Sequence, residues 1–89
     1  MTVNVGLDLK MTCSACPEQY DVLQDGRVVG YLRLRHGYFA AHMAPDGEID
    51  WDDTVYWADT EGDGVFDPDE REYQLSRALT AIAYRLARP

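Results

Sequence analysis

The sequence is short of positive charge. Its 89 residues contain 8 Lys and Arg against 16 Asp and Glu, which gives a formal net charge of -8. Proteins bind nucleic-acid phosphates mainly through Lys and Arg, so this balance opposes contact with DNA or RNA. We therefore expect no direct nucleic-acid binding.

Long apolar runs are also missing. A membrane-spanning helix needs about 20 consecutive apolar residues, and no stretch of the chain approaches that length. Residues 1–9 have neither the basic start nor the apolar centre of a secretory signal, and there are only 2 cysteines. We expect a cytoplasmic protein that does not bind membranes.

What is present is enough for an ordered fold. Hydrophobic residues make up 46% of the chain and aromatic residues 11%, which is typical of a globular domain and not of a disordered acidic tail. A chain of 89 residues has room for one core. We expect residues 1–89 to form a single small domain.

Strand patterns occupy the first two thirds of the chain. Residues 3–9 place valine or leucine at every second position, in a strand expected to end near Met11-Thr12. Asp25-Gly26, a strong hairpin signal, separates two further strand patterns at residues 20–24 and 27–35. A two-residue turn there predicts that residues opposite each other on the two strands have numbers that sum to 51. We also expect a bulge or close approach at Gly30. Val28, Leu32 and Leu34 are expected on one face of the second of these strands.

Two more strands follow. A turn at His36-Gly37 predicts a strand over residues 38–43, with paired numbers that sum to 73, and 45–47 turns the chain again into a strand over 49–58. This last strand is expected to place four apolar side chains on one face: Ile49, Trp51, Val55 and Trp57.

Residues 68–87 have the period of an amphipathic helix, with one apolar stripe made of Leu75, Leu79, Ile82 and Leu86 and flanked by Ala78 and Ala83. The helix must lay this stripe on the sheet. The predicted fold class is α+β: an antiparallel β-meander of four to five strands with one C-terminal α-helix packed on one face.

The acidic residues are concentrated in one block. Residues 44–70 contain eleven Asp and Glu and no Lys or Arg, whereas acids and bases balance in residues 1–43. Such a block attracts cations or basic protein surfaces. Its first part supplies five candidate partner-binding residues: Asp46, Glu48, Asp50, Asp52 and Asp53.

The second part of the block, residues 59–70, resembles the calcium loop of EF-hand proteins. The resemblance implies Gly64 at the sharp turn and these calcium ligands: Asp59, Glu61, Asp63, the carbonyl of Val65, Asp67 and Glu70. Two features depart from that pattern, since Glu61 is longer than the usual Asp or Asn and the preceding residues predict a strand instead of a helix.

Helix initiation explains part of the same segment without a metal. Asp67 suits an N-cap, Pro68 the first helical position and Glu70 the third position of a capping box. If helix initiation accounts for the end of the segment, calcium is needed to explain only the residues before Val65. Calcium binding and helix initiation therefore both remain open hypotheses.

Zinc is a further alternative. Cys13, Cys16 and His36 have a loose zinc-finger spacing, and Glu18, water or a second chain would complete a tetrahedral site. His42 is excluded as the fourth ligand because the predicted register places it opposite Tyr31. The competing hypothesis is a pair of small buried thiols at a strand corner, which we prefer.

Two stretches, PEQYDVLQDGRVVGYLRLRHGYF at residues 17–39 and GDGVF with the following ERE within 62–75, resemble small proteins encoded by bacteriophages and prophages. That group has no assigned activity. The resemblance implies a phage-type protein acting in the cytoplasm of a bacterial host cell.

These observations favour a non-catalytic, acidic phage-type binding protein that acts through protein contacts. It would inhibit a host nucleic-acid-handling or defence protein by occupying its basic surface. We do not expect an enzyme, since no nucleophile has a recognisable base nearby. An uncovered sheet face with Tyr31, Tyr38 and Tyr56 would equally suit a homodimer.

Overall fold

The structure is a computed structural model that describes residues 6–14, 18–61 and 64–87. Five strands pair antiparallel in the order β1-β2-β3-β4-β5 and one helix follows them. Their bounds are β1 (Asp8–Ser14), β2 (Glu18–Gln24), β3 (Arg27–Arg35), β4 (Tyr38–Met43), β5 (Thr54–Asp59) and α1 (Pro68–Leu86), with a short 3-10 turn at Pro45–Gly47 between β4 and β5. The predicted α+β meander with one helix is confirmed.

Two tight turns set the register of the central strands. Asp25-Gly26 and His36-Gly37 all have positive φ, between 53° and 80°, which matches the right-handed twist of the hairpins they close. The predicted β3–β4 register is confirmed, and Tyr31 pairs with His42.

The predicted β2–β3 register is correct only next to the turn. Leu23 pairs with Val28, but Val22 pairs with Gly30, so the bulge predicted at Gly30 is present and inserts Val29. The bulge reverses the predicted alternation, and Val29 packs against the core, where Val28 was expected.

The bulge brings Gly30 under the helix. A Cβ atom added at Gly30 would lie 2.7 Å from Cδ1 of Ile82 and 3.3 Å from the carbonyl oxygen of His42. Glycine is therefore required here for the close approach of α1 to the sheet.

The core lies between α1 and one face of the sheet. Leu75, Ala78, Leu79 and Ile82 are buried on the helix, which confirms the predicted stripe, and Leu86 and Ala83 are partly buried beside them. The sheet contributes Val22, Leu32, Leu34, Phe39 and Ala41, all fully buried.

Among the described residues, no helix is both long enough and apolar enough to cross a membrane.

The predicted strand over residues 49–58 is wrong in its first half. β5 starts at Thr54, because Asp50 forms a turn in which its Oδ1 accepts the amide N–H of Asp52 at 3.1 Å and its carbonyl accepts that of Asp53 at 3.0 Å. The side chains therefore do not alternate as predicted.

The predicted apolar face of β5 is also wrong. Trp51 and Trp57 are 51% and 62% exposed, whereas Tyr56 donates its hydroxyl to Oε1 of Gln74 at 2.6 Å on the helix. Tyr56 pairs with Ala41, which is fully buried in the core, and Trp57 pairs with Ala40, whose side chain points to the opposite face. Tyr56 consequently lies on the covered face, and not on the uncovered face where it was expected.

β1 extends further than predicted. It continues to Ser14 past an irregularity between Met11 and Cys13, although the pattern favoured an end near Met11. Val3 and Val5, which begin the alternation, lie outside the described residues.

Gly30→Ala should lower the free energy of unfolding by about 1–3 kcal/mol, because the new methyl group overlaps Ile82. Ile82→Val removes the overlapping Cδ1 atom and alone should cost about 0.5–1.5 kcal/mol. Urea denaturation of both variants and of the double variant gives the coupling free energy between positions 30 and 82. The double variant should be more stable than the sum of the two losses allows, by about 0.5 kcal/mol or more; strict additivity would contradict the proposed overlap.

Candidate functional site

The connection between β4 and β5 carries four of the five candidate partner-binding residues as free surface charge. We call residues 46–53 the acidic connection. Asp46, Glu48, Asp50 and Asp52 are all exposed. Each ionised carboxylate therefore adds to a negative potential that reaches into solvent.

Backbone hydrogen bonds hold this connection in one shape. The amide of Asp50 donates to the carbonyl of Met43 at 2.9 Å, and the amide of Met43 donates to the carbonyl of Asp53 at 3.0 Å. Ala44 donates to the carbonyl of Val29 on the neighbouring strand at 2.9 Å. The acidic side chains thus project from a fixed backbone.

Asp53 differs from the other four acids. Its Oδ1 accepts a hydrogen bond from Nη1 of Arg85 at 2.5 Å, and the two side chains form an ion pair. Arg85 lies in the last turn of α1. Asp53 therefore anchors the acidic connection to the helix, and its charge is largely compensated within the chain.

The predicted calcium ligands lie in residues 59–70, which come after the acidic connection in the chain. Asp59 ends β5 and is exposed, as are Glu61 and Asp67, while Val65 is half-buried. Glu70 accepts the amide N–H of Glu61 with Oε2 at 3.4 Å, which brings two of the proposed ligand positions together. Asp63 lies outside the described residues. Within residues 6–14, 18–61 and 64–87, no group of three or more His, Cys, Asp or Glu residues is placed to hold a metal ion.

The predicted capping box is incomplete. Asp67 occupies the N-cap position and Pro68 the first helical position, as expected, but the side chain of Asp67 caps no amide. The backbone carbonyl of Asp67 accepts the amides of Glu70 and Arg71 at 3.0 and 3.1 Å. The start of the helix therefore depends on other contacts.

The predicted zinc ligands are distributed along the sheet. Cys13 pairs with Gln19, and Gln19 pairs with Arg33, three residues before His36. Strand spacings of about 4.8 Å and about 3.4 Å per residue then separate Cys13 and His36 by about 10 Å in each direction. His36 accepts a hydrogen bond from Nε of Arg35 at 3.3 Å. Cys16 lies outside the described residues.

Glu18, considered as a fourth zinc ligand, instead forms a buried cluster on the helix side of the sheet. It is 1% exposed. Arg71 donates from Nε to Oε2 at 3.0 Å and from Nη2 to Oε1 at 3.1 Å, and the amide of Phe66 donates to Oε1 at 3.1 Å. Tyr20 donates its hydroxyl to Oε2. These donors occupy both carboxylate oxygens, so the interpretation as a zinc ligand is wrong.

The Glu18 cluster shifts the pKa values of its members. Burial, the largest effect, would raise the pKa of Glu18, but the hydrogen bonds from Arg71, Tyr20 and Phe66 together lower this pKa below its ordinary value. Burial and the hydrogen bond to Glu18 raise the pKa of Tyr20. Glu18 is thus a carboxylate and Tyr20 a neutral donor at neutral pH.

The sequence contains a signal for this cluster, although the sequence analysis considered Glu18 only as a zinc ligand. Glu18, Tyr20 and Val22 alternate on one strand face, and Val22 is fully buried. A carboxylate in register with an apolar face requires a cation. The partner Arg71 is 53 residues away in the sequence, so no local pattern identifies it.

The sheet face opposite the helix carries a second polar and aromatic cluster. Nδ1 of His42 lies 2.9 Å from Oγ1 of Thr54, and Trp51 packs edge-on against His42 at a ring distance of 5.1 Å. The guanidinium of Arg33 lies 4.9 Å from the centre of the Trp51 ring. Burial, and secondly the charge of Arg33, lower the pKa of His42, so the imidazole is neutral at neutral pH.

Arg71→Met should lower the free energy of unfolding at pH 7 by about 2 kcal/mol. The substitution leaves the buried Glu18 carboxylate without its cation, and the figure is discounted because the Arg71 side chain is 37% exposed. Arg27→Met, at an exposed position of β3, is the charge-matched control, with an expected loss below about 0.5 kcal/mol.

The effect of Arg71→Met should also depend on pH. The folded-state pKa of Glu18 is depressed, so its stabilising contribution is present above about pH 4.5 and is lost as the pH falls through the folded-state pKa. Urea denaturation from pH 7 to pH 3 should show the two proteins converging. A difference that stays constant over this range would contradict an ionised Glu18.

Comparison with protein-family models, curated proteins and solved structures finds no match to this chain.

Proposed function

We propose that this chain is a non-catalytic binding module that presents its acidic connection to the basic surface of another protein. The supporting observation is that Asp46, Glu48, Asp50 and Asp52 are all exposed within a segment, residues 44–70, that contains no Lys or Arg. Four exposed carboxylates in a segment that has no Lys or Arg of its own favour a partner that supplies cations.

The fixed backbone of the acidic connection makes it suitable for recognition. Association costs less when the interacting groups are already ordered, and complementary charge accelerates the encounter of the two proteins. The bonds of Met43 and Asp50 and the ion pair between Asp53 and Arg85 order this backbone. The four remaining acids are left for the partner.

The proposed partner is a bacterial host protein that handles nucleic acid or acts in defence. Such proteins have basic surfaces that bind phosphates, and a preordered row of carboxylates competes for the same surface. The resemblance of residues 17–39 to phage proteins is consistent with this assignment and with action in the bacterial cytoplasm.

Calcium binding at residues 59–70 is a second proposal. The hydrogen bond between the Glu61 amide and the Glu70 carboxylate supports it, because it draws the third and twelfth positions of the EF-hand-like loop together. A bound divalent ion would offset repulsion among the carboxylates and stabilise the junction between β5 and α1.

Replacing the four exposed acids of the connection should weaken binding to basic partners at least tenfold. The variant combines Asp46→Asn, Glu48→Gln, Asp50→Asn and Asp52→Asn. The control, of equal net charge, combines Asp8→Asn, Asp25→Asn, Asp69→Asn and Glu72→Gln, which alter exposed acids elsewhere. Affinity for arrayed Lys- and Arg-rich peptides is measured at 50 mM and at 500 mM salt.

We expect the wild type and the control to bind, with affinity that falls at least tenfold over this salt range, and the connection variant to bind at least tenfold more weakly at low salt. Equal losses in both variants would show that net charge, and not the connection, attracts the peptides. Binding that is insensitive to salt would contradict the proposal.

Calcium should raise the melting temperature of metal-stripped protein by several degrees. A ligand at a hundredfold excess over its dissociation constant stabilises by about 2.7 kcal/mol. Asp59→Ala should remove the effect, while Asp52→Ala outside the loop should retain it. Absence of a calcium shift would reject the second proposal, and a shift with zinc alone that Cys13→Ser removes would favour the zinc-knuckle alternative.

A further inference from the structure

The open face of the sheet, opposite α1, exposes large aromatic side chains beside arginines. Trp57 is 62% and Tyr38 is 45% exposed, and their rings stack with centres 6.3 Å apart. Arg33 and Arg35 lie beside them on β3. Aromatic residues and arginine are enriched in protein interfaces, so this patch of β3, β4 and β5 is suited to a protein partner.

The strand register arranges these side chains in two rows across the patch. In the first row Arg35 pairs with Tyr38, and Tyr38 pairs with Asp59. In the second row Arg33 pairs with Ala40, and Ala40 pairs with Trp57. Each row therefore has β4 at its centre, an arginine on the β3 side and a group that attracts arginine on the β5 side.

Two copies can place these open faces against each other, related by a twofold axis that lies midway between the two sheets and runs parallel to β4. In this arrangement the rows of one copy are complementary to the rows of the other. The rotation exchanges β3 and β5 across the interface and keeps the strand direction. Arg35 then faces the partner's Asp59, and Arg33 faces the partner's Trp57. Two facing sheets with aligned strands are a common packing arrangement.

We propose that the open face is a homodimer interface in which a second copy of this chain packs about that axis. Arg35 forms an ion pair with the partner's Asp59, twice in each dimer. One face of the Arg33 guanidinium lies on its own Trp51, and the other face stacks on the partner's Trp57. Tyr38 meets the partner's Tyr38 near the axis, where the small side chain of Ala40 permits close approach.

Charge limits where two copies can meet. Each chain carries a net charge of -8, so most approaches of two copies are repulsive. Within the patch, however, two arginines accompany one exposed acid, Asp59. The patch is thus the part of the sheet where like chains attract each other.

The contact area predicts a weak dimer. Three strands at about 4.8 Å spacing and about six residues at about 3.4 Å give a footprint of roughly 15 by 20 Å on each copy. This area belongs to the class of small, transient interfaces, so we expect a dissociation constant on the order of 10–100 µM. The acidic connection adjoins the opposite end of β4 and reaches the patch through Trp51, whose ring contacts Arg33.

Charge reversal tests the paired contact directly. Sedimentation velocity in EDTA, from 10 µM to 1 mM protein, should show dimers of the wild type. Arg35→Asp and Asp59→Arg, each alone, should weaken association at least tenfold because each places like charges opposite each other twice. An equimolar mixture of these two variants should form a heterodimer of near wild-type affinity, since both contacts are then complementary.

Arg27→Asp and Asp69→Arg are charge-matched controls at exposed positions outside the patch, and their association should match the wild type. Trp57→Ala should weaken the dimer at least tenfold, while Tyr84→Ala on the helix side should not, although Tyr84 is 63% exposed. Circular dichroism establishes that each variant is folded.

Monomeric wild type at 1 mM would overturn the proposal. So would dimers that survive in both Arg35→Asp and Asp59→Arg, or a mixture of these variants that remains monomeric. Loss of association in Tyr84→Ala with retention in Trp57→Ala would place the interface on the helix side and would equally reject the open face.

Discussion

The buried carboxylate of Glu18 connects the sheet to the segment that leads into the helix. An isolated carboxylate in such a site would be strongly destabilising, and here Arg71, Tyr20 and the amide of Phe66 all donate to it. The backbone amide of Glu18 also donates to the carbonyl of Gly64 at 2.8 Å. One side chain and its own backbone therefore hold β2, the segment 64–66 and the first turn of α1 together.

This cluster controls where the helix can lie. Phe66 packs against Phe39 with ring centres 4.9 Å apart, and Arg71 is the fourth residue of α1. With that end held, the stripe of α1 follows the sheet to Gly30, where the absence of a side chain admits Ile82. At its far end Arg85 meets Asp53. The helix is consequently tied to the sheet by charge at both ends and by apolar packing between them.

The placement of the helix on one face separates two surfaces with different chemistry. The acidic connection is exposed and negative, and it supports the proposed binding of a basic protein. The open face combines arginine with stacked aromatic rings, and its rows have the symmetry required for a second copy of the chain. A twofold axis parallel to β4 would place the two acidic connections at the same end of a dimer. A basic partner with two sites would then meet both connections at once, with a gain from avidity.

Local patterns in the sequence determined much of this protein. The turns at Asp25-Gly26 and His36-Gly37, the bounds of β3 and β4, and the stripe of α1 follow from turn chemistry and hydrophobic period. The exposed acids of the connection follow from composition alone. The bulge beside Gly30 was also predicted from the sequence. Only the tertiary structure decided which side chain approaches Gly30, which side chain of β5 is covered, and the partner of Glu18. Each depends on groups far apart in the chain: Gly30 accommodates Ile82, Tyr56 pairs with the buried Ala41, and Arg71 neutralises a carboxylate that no neighbour in sequence could satisfy.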